Sequence, residues 1–238
     1  MDGVQLMNRT DTKFILPGEV LLDVITGLRA DYRVLEVNGT RQSSYETLYY
    51  DRKNFHHFIA HQNGKKNRFK IRKRKYVESE LSFLEIKFKN NKGRTLKNRI
   101  KLPEITVAMD ERSQAFVDEK LKNDEALEPK LWNRFQRITL VNEALPERLT
   151  IDCNLSFSHN GQVIAMPSLV IAEVKQESQN RYSPFIRELK RRMIRPESIS
   201  KYCLGVTMLY PEVKSNNFKE KILRINKIQE KNAKSVDV

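Results

Sequence analysis

The eight residues "RFKIRKRK", Arg68–Lys75, carry six positive charges. Successive side chains of a β-strand point to opposite faces of the sheet. With that period of two, the stretch places four cations on one face: Arg68, Lys70, Arg72 and Arg74. The opposite face begins with two apolar residues, as in a strand that packs on a core. The stretch therefore predicts a strand with a row of cations on one face.

The composition favours an anionic partner. The 238 residues include 44 basic and 30 acidic side chains, a formal net charge of +14, and 39% of the residues are hydrophobic. A chain of this length can bury a sizeable core, so we expect a globular protein. Nucleic acid, a phosphorylated metabolite and an anionic membrane surface all suit the charge, which does not choose among them.

Targeting and redox signals are weak. The first residues, "MDGVQLMNRTDTKF", contain no apolar core of the kind found in signal peptides. The longest apolar run, residues 163–174, is too short to span a bilayer. Cys153 and Cys203 offer neither metal-ligand spacing nor a disulfide framework. We therefore expect a cytoplasmic protein that associates with a membrane only through a partner.

Alternation of apolar and polar residues recurs along the chain. It is clearest in "RLTIDCNLSF", residues 148–157, where Leu149, Ile151, Cys153, Leu155 and Phe157 alternate with polar residues. With the similar stretches 9–15, 45–51, 82–89, 97–101 and 169–175, about eight strands are expected. Their charged faces would meet water in a sandwich or open sheet, and would line the interior of a closed barrel wrapped by helices. An interior rich in Arg and Lys would imply a polyanionic ligand.

Helical spacing marks four stretches between the strands: residues 18–30, 53–62, 110–123 and 184–194. Ser183 and Pro184 provide an N-cap and a first helical residue for the last of them. No linker rich in Gly, Ser or Pro divides the chain, which predicts a single domain over residues 1–225. The final residues, 226–238, are interpreted as a polar, frayed C-terminal tail.

The order of short motifs along the chain resembles a known family. The motifs, "RTDTKF", "YYD", "FKIRKRKY", "FLEIKFK", "FQRITL" with "RLTIDCNL", "AEVK" and "SKYCLG", extend from about Arg9 to Gly205. In this order they resemble the polyphosphate polymerase domain of the vacuolar transporter chaperone (VTC), which belongs to the triphosphate tunnel metalloenzymes. Each motif is short, and their common order carries the resemblance.

The resemblance implies an α+β fold: an antiparallel eight-stranded β tunnel barrel with a charged lumen and helices packed outside. In that family the lumen binds a triphosphate or polyphosphate with a divalent metal, here Mn²⁺ or Mg²⁺. Polymerase members transfer the γ-phosphoryl group of ATP to a growing polyphosphate chain. They often work beside membrane proteins, so a membrane-protein partner for export or anchoring is also implied. Nucleic acid is not expected as a ligand, and the oligomeric state stays open.

Matching the motifs assigns roles to individual residues. The implied catalytic residues are Arg72, Arg74, Lys87, Arg137 and Arg148. The implied phosphate-binding residues are Lys13, Arg68, Lys70, Lys175 and Lys201. Glu173 is the implied metal ligand, and Glu85 is a second candidate. Arg offers a planar fork for phosphate oxygens, Lys offers a compact charge, and Mg²⁺ typically uses one or two carboxylates with phosphate oxygens.

Two positions depart from the family pattern. The opening "RTDTK" replaces the ExExK motif common in tunnel enzymes and leaves Asp11 as the first-strand carboxylate. Phe135 stands where VTC domains often have a tyrosine, two residues before the arginine of that strand. The missing hydroxyl bears on the efficiency of catalysis more than on binding.

Other interpretations remain open from the sequence. A triphosphatase would use the same lumen, and a non-catalytic module would only bind polyphosphate. A nucleic-acid binder predicts steep salt dependence without a need for metal. In the simplest interpretation the basic strand is solvated, and Glu85–Lys87 and Glu173–Lys175 are exposed salt bridges. We favour ATP-dependent polyphosphate synthesis, since phosphoryl transfer needs mainly positioning and electrostatic stabilisation.

Overall fold

The computed structural model describes residues 10–122, 126–178 and 180–236, with side chains described as far as residue 231. Arg9, expected on the polar face of the first strand, lies outside the described residues. The strands are β1 Thr10–Pro17, β2 Tyr32–Val34, β3 Gln42–Asp51, β4 Arg68–Tyr76, β5 Leu81–Lys89, β6 Thr95–Leu102, β7 Glu128–Asn142, β8 Glu147–His159, β9 Gln162–Met166 and β10 Leu169–Gln176. The helices are α1 Leu21–Gly27, α2 His56–Gln62, α3 Glu111–Leu121, α4 Pro184–Arg191, α5 Lys201–Leu209 and α6 Lys219–Val236.

All ten strands belong to one antiparallel sheet. Its main path has eight strands in the order β1-β10-β8-β7-β3-β4-β5-β6, while β2 pairs with β7 and β9 pairs with β8. This confirms the predicted α+β class with an antiparallel sheet. The prediction of full closure is wrong within the described residues, because β1 and β6 end the path as edge strands without pairing to each other.

The sheet nevertheless curls until its two ends face each other. Lys87 on β5 is close enough to Glu173 on β10 for their charges to interact, and Lys70 on β4 interacts with Lys13 on β1. Four strands separate the members of each pair along the sheet. A flat sheet would hold them about 24 Å apart, since neighbouring strands lie about 4.8 Å apart. The strands therefore enclose a tunnel, and we call the side that carries Arg72 and Glu85 the inner face.

The outer face carries most of the expected apolar residues. Phe14 and Leu149 pack with Phe185 and Leu189 of α4. Further along the strand order, a second cluster on the same outer face is formed by β3, β4 and β5 and packs against α3. Its residues are Leu48, Tyr50, Ile71, Leu84, Ile86, Val117 and Leu121. Burial of this apolar surface holds the helices outside the sheet.

A β-bulge divides the apolar residues of β8 between the two faces. The pairing of β7 with β8 shifts between Arg134 and Gln136, and Asn154 has a positive φ of 51°. Leu149 and Ile151 consequently lie in the cluster beneath α4, whereas Leu155 and Phe157 lie in the cluster around α5. The prediction from alternation, which put all of them on one face, is wrong beyond Cys153 because a bulge inserts one extra residue.

Four helices correspond to the predicted stretches, and two do not. Ser183 caps α4 as expected, its hydroxyl accepting from the Ile186 amide at 3.2 Å. Helix α5 was not predicted, because it is apolar around most of its circumference and shows no helical stripe. Helix α6 was not predicted either: the expected frayed tail from residue 226 is helical as far as Val236, and Ile225 is fully buried.

Helix α5 covers one end of the tunnel. Tyr202 and Val206 pack with Tyr49, Leu131 and other apolar residues of the inner face. Gly205 permits the contact, because a Cβ atom there would lie 2.7 Å from the Phe157 ring and 2.9 Å from a Leu131 methyl group. Among the helices that the structure describes, none is long and apolar enough to cross a membrane.

Substitution of Gly205 tests this packing. Alanine usually stabilises a helix relative to glycine, but Gly205→Ala forces a methyl group into filled space and should destabilise the protein by about 1–3 kcal/mol. Gly27→Ala is the matched control, because the nearest atom to a Cβ there is 3.8 Å away. Urea unfolding measures both variants. Equal stability of the two variants would contradict the close approach of α5.

Candidate functional site

The first ion-pair cluster on the inner face joins β4, β5 and β6. Arg72 Nε and Nη2 donate to Glu85 Oε2 at 2.8 and 2.6 Å, and Lys97 forms a second ion pair with the same carboxylate. Glu85 is fully buried. Burial alone would raise its pKa, but Arg72, Arg74 and Lys97 hold the pKa well below the usual range. Glu85 therefore stays ionised and fixes the Arg72 guanidinium.

The second cluster centres on Asp152 of β8. Arg137 of β7 binds this carboxylate with both prongs of its guanidinium, Nε to Oδ1 at 2.5 Å and Nη2 to Oδ2 at 2.7 Å. Lys201, the first residue of α5, pairs with the same carboxylate. Burial opposes ionisation, but Arg137 and Lys201 outweigh it and lower the pKa of Asp152 to about 2. The pairing anchors the start of α5 to the sheet.

The third cluster lies on β1 and β10. Glu173 accepts from Lys13 and from Lys175, each at 2.7 Å, and Lys175 also lies 3.4 Å from Asp11. Burial would raise the pKa of Glu173, but the two lysines hold it well below the usual range. The register explains the geometry, because Lys13 pairs with Glu173 and Asp11 pairs with Lys175 across neighbouring strands.

Further cations lie among these clusters without an ion-paired carboxylate in the described residues. Arg74 is buried and donates to the Thr47 hydroxyl at 3.0 Å, and burial together with Arg72 lowers its pKa. The charge of Arg72, then burial, holds the pKa of Lys87 well below its usual value. Burial likewise lowers the pKa of Lys70. The inner face thus carries more positive than negative charge.

The remaining predicted residues occupy more peripheral positions. Arg68 begins β4 and donates to the Lys65 carbonyl at 2.6 Å. Arg148 is exposed on β8, beside Lys175 in the neighbouring strand. By contrast, Lys73 of the same basic strand points to the outer face, where its amine donates to the carbonyls of Thr106 and Ala108. Lys73 is therefore a structural residue.

Comparison with known proteins identifies the family. The family model described as "VTC domain" matches residues 8–210. The chain belongs to the VTC domain family. No curated protein matches it in sequence. The match confirms the resemblance that the order of the short motifs indicated, and it extends over β1–β10 and α1–α5.

Two solved structures share the tunnel fold of this VTC domain. A candidate adenylate cyclase from Bacillus halodurans is 13% identical, with a TM-score of 0.50 over 85% of this chain and 97% of that one. HpAC1 from Hippeastrum, a candidate adenylyl cyclase with a dominant triphosphatase activity, is also 13% identical, with a TM-score of 0.50 over 83% of this chain and 94% of its own. Identities this low show the fold and not the reaction.

The candidate site includes residues that the sequence analysis did not predict. Asp152 and Lys97 complete two clusters, yet alternation marks them only as polar residues of a strand. Tyr45 was missed as well: its ring stacks on Phe135 with centroids 4.9 Å apart and planes 9° apart. The Lys201 amine lies 4.5 Å from the Phe135 ring centroid, and the Arg137 guanidinium lies 5.0 Å from that of Tyr45. These contacts depend on which strands pair and in which register, and the spacing of residues along the sequence does not reveal either.

The carboxylates of the VTC domain suit a divalent metal only if a ligand completes the coordination. The described residues contain no group of three or more His, Cys, Asp or Glu side chains that could hold a metal ion. Mg²⁺ often takes one or two carboxylates and fills its other positions with substrate phosphates and water. Glu173 with Asp11 nearby fits that pattern. Glu85 fits less well, because it is fully buried between Arg72 and Lys97.

The Asp152 cluster predicts a pH dependence of stability. Because the pKa of Asp152 is lowered to about 2, its contribution is present above the unfolded pKa of about 3.9 and is lost as the pH falls through the folded value. Asp152→Asn should be less stable than the unmodified protein at about pH 6. The difference between their free energies of unfolding should narrow towards about pH 3. Urea unfolding at several pH values measures the gap.

Asp23→Asn is the control for this prediction, since Asp23 is exposed on α1. A stability gap between Asp152→Asn and the unmodified protein that stays constant across the pH range would contradict the ion pairs of Asp152.

Proposed function

We propose that this VTC domain is an ATP-dependent polyphosphate polymerase, which transfers the γ-phosphoryl group of ATP to a polyphosphate chain in the tunnel. The observation that carries the proposal is the excess of cations on the inner face, where buried Arg74 and partly buried Lys70 and Lys87 lack an ion-paired carboxylate among the described residues. Buried charge is costly without a counter-charge. A triphosphate or polyphosphate supplies that counter-charge along several strands at once.

The cations of the inner face form two groups: those whose side chains are fixed by a carboxylate, and those that are available to bind phosphate. Glu85 and Asp152 fix the guanidinium groups of Arg72 and Arg137, so these two present their remaining N–H groups in set directions. Arg74 and Lys87 are available to bind oxygens of the γ-phosphoryl group. Phosphoryl transfer spreads charge over those oxygens in the transition state, so positioned cations stabilise it more than the ground state. A catalytic role for Arg148 would require the ligand to extend to the exposed end of β8.

The reaction needs no nucleophilic side chain. A terminal oxygen of the polyphosphate chain attacks the γ-phosphorus, the bond from that phosphorus to the bridging oxygen breaks, and ADP leaves. Lys13, Lys175 and Lys201 would hold the phosphates that flank the reacting group. Arg68 and Arg148 extend the basic surface along β4 and β8, which suits a ligand longer than a triphosphate.

Mn²⁺ or Mg²⁺ is the cofactor in this proposal. Glu173, with Asp11 beside it, would hold the ion, which when bound neutralises part of the charge of the triphosphate. The two lysines that pair with Glu173 are only partly buried, so an incoming phosphate could reach both. Exchange of these lysines from the carboxylate to phosphate oxygens would free Glu173 for the metal.

Hydrolysis of short triphosphates is the second candidate function. The similarity to HpAC1, which has triphosphatase activity, favours it. Water would then take the place of the polyphosphate oxygen, and the same cations would bind the phosphates. A third outcome is a module that binds polyphosphate without turnover, for which Phe135 without a hydroxyl is the supporting feature.

Incubation with γ-labelled ATP and either Mn²⁺ or Mg²⁺ tests the proposal, with labelled polymer and free phosphate resolved on a gel. We expect labelled polymer that disappears when the metal is chelated. Free phosphate without polymer would establish the hydrolase instead. Absence of both products, with tripolyphosphate still bound, would leave a binding module, and absence of tripolyphosphate binding would overturn the whole proposal.

A pair of variants on one strand connects the activity to the inner face. Arg74→Ala should lower the turnover about 100-fold, by analogy with removal of one transition-state hydrogen-bond donor. Lys75→Ala removes an equal charge from the outer face of β4 and should leave the turnover unchanged. Equal effects of the two substitutions would mean that net charge, and not the inner face, determines the activity.

A further inference from the structure

Four aromatic side chains meet on the inner face beside Arg74, and we call them the aromatic cluster: Tyr45, Tyr76, Phe83 and Phe135. They come from β3, β4, β5 and β7. The rings follow one another from the Phe135–Tyr45 stack through an edge contact of Tyr45 with Tyr76 at 5.0 Å to an edge contact of Tyr76 with Phe83 at 6.0 Å. Phe135 is buried, whereas the other three are partly exposed.

The position of the cluster is set by strand register. Phe83 pairs with Arg74, and Tyr76 follows Arg74 on the same face of β4. The Arg74 guanidinium lies 5.4 Å from the centroid of the Tyr45 ring and 5.5 Å from that of Phe135. The aromatic cluster therefore adjoins the phosphate-binding cations directly. A triphosphate that spans Arg74 and the neighbouring cations would therefore have these rings beside it.

Packing explains only part of the cluster. Tyr45 and Phe135 support the cations Arg74 and Arg137, which lie over their rings. Tyr76 has no cation over its ring among the described residues, and Phe83 has only Arg99, at 4.5 Å. Tyr45 and Phe135 also adjoin the apolar cluster around α5, whereas Tyr76 and Phe83 belong to neither that cluster nor the outer-face cluster of β3, β4 and β5. Tyr76 and Phe83 are thus partly exposed aromatic surface next to a basic site, an arrangement that favours a flat ring with an anionic tail.

We propose that Tyr76 and Phe83 bind the base of a nucleoside triphosphate, whose phosphates lie on Arg74 and the neighbouring cations. The inference rests on the proposed function and deepens it, since it names the residues by which the site would distinguish ATP from an inorganic triphosphate. Aromatic side chains stack on any base because every base has a π-face.

The test compares ligands with and without a base on the unmodified protein. Calorimetric titrations with ATP and with ribose 5-triphosphate, which has the same sugar and phosphates but no base, should show about tenfold tighter binding of ATP, the order that stacking of one base supplies. Equal affinity for the two ligands would overturn the inference. If neither ligand binds, the result would instead overturn the proposed function on which the inference rests.

Two variants assign the effect to the rings. Phe83→Leu and Tyr76→Leu keep apolar volume and remove the π-face, so each should weaken ATP binding about tenfold while tripolyphosphate binding stays unchanged. Phe88→Leu is the matched control, because Phe88 lies on the outer face of the same strand, stacked on Phe69 at 4.6 Å. Equal losses for ATP and tripolyphosphate, or no loss for either, would overturn the assignment to these rings.

Discussion

Repulsion among the closely spaced cations of the inner face is the constraint on which the rest of the structure depends. Arg and Lys side chains from six strands and one helix meet on one concave face, and the low dielectric there strengthens every charge–charge interaction. Each of three carboxylates, Glu85, Asp152 and Glu173, is shared by two cations. This arrangement offsets part of the repulsion, fixes the direction of the paired side chains and leaves a net positive surface.

Apolar packing on the outer face of the sheet supports the charged inner face. Apolar residues on the outer face pack under α1, α3 and α4, so the cost of holding charged side chains inward is offset by burial elsewhere. Helix α5 covers one end of the tunnel with its apolar residues and inserts Lys201 between Asp152 and Phe135. Gly205 is the point at which this helix approaches the sheet. The stability of the protein and the position of the Lys201 amine therefore both depend on the contact of α5 with the sheet at Gly205.

Periodicity predicted most of the strands and the face of each basic residue in β4, because a strand that separates core from charge must alternate. It failed where the chain departs from a regular period: the bulge at Asn154 transferred Leu155 and Phe157 to the other face, and the apolar α5 had no helical stripe. The cations of the site followed from the order of short motifs. The partners of those cations, such as Asp152, and the ring of Tyr45 depend on strand pairing and curl, which local pattern does not contain.

If the cations of the inner face form a polyphosphate site, a bound polyanion should relieve the repulsion among them and stabilise the protein. The most direct test is urea unfolding with tripolyphosphate, compared with sulfate at the same ionic strength. A ligand at 100 times its dissociation constant should stabilise the folded state by about 2.7 kcal/mol. We expect this gain with tripolyphosphate and little with sulfate. Equal stability in the two salts would show that the cations of the inner face do not form a polyphosphate site.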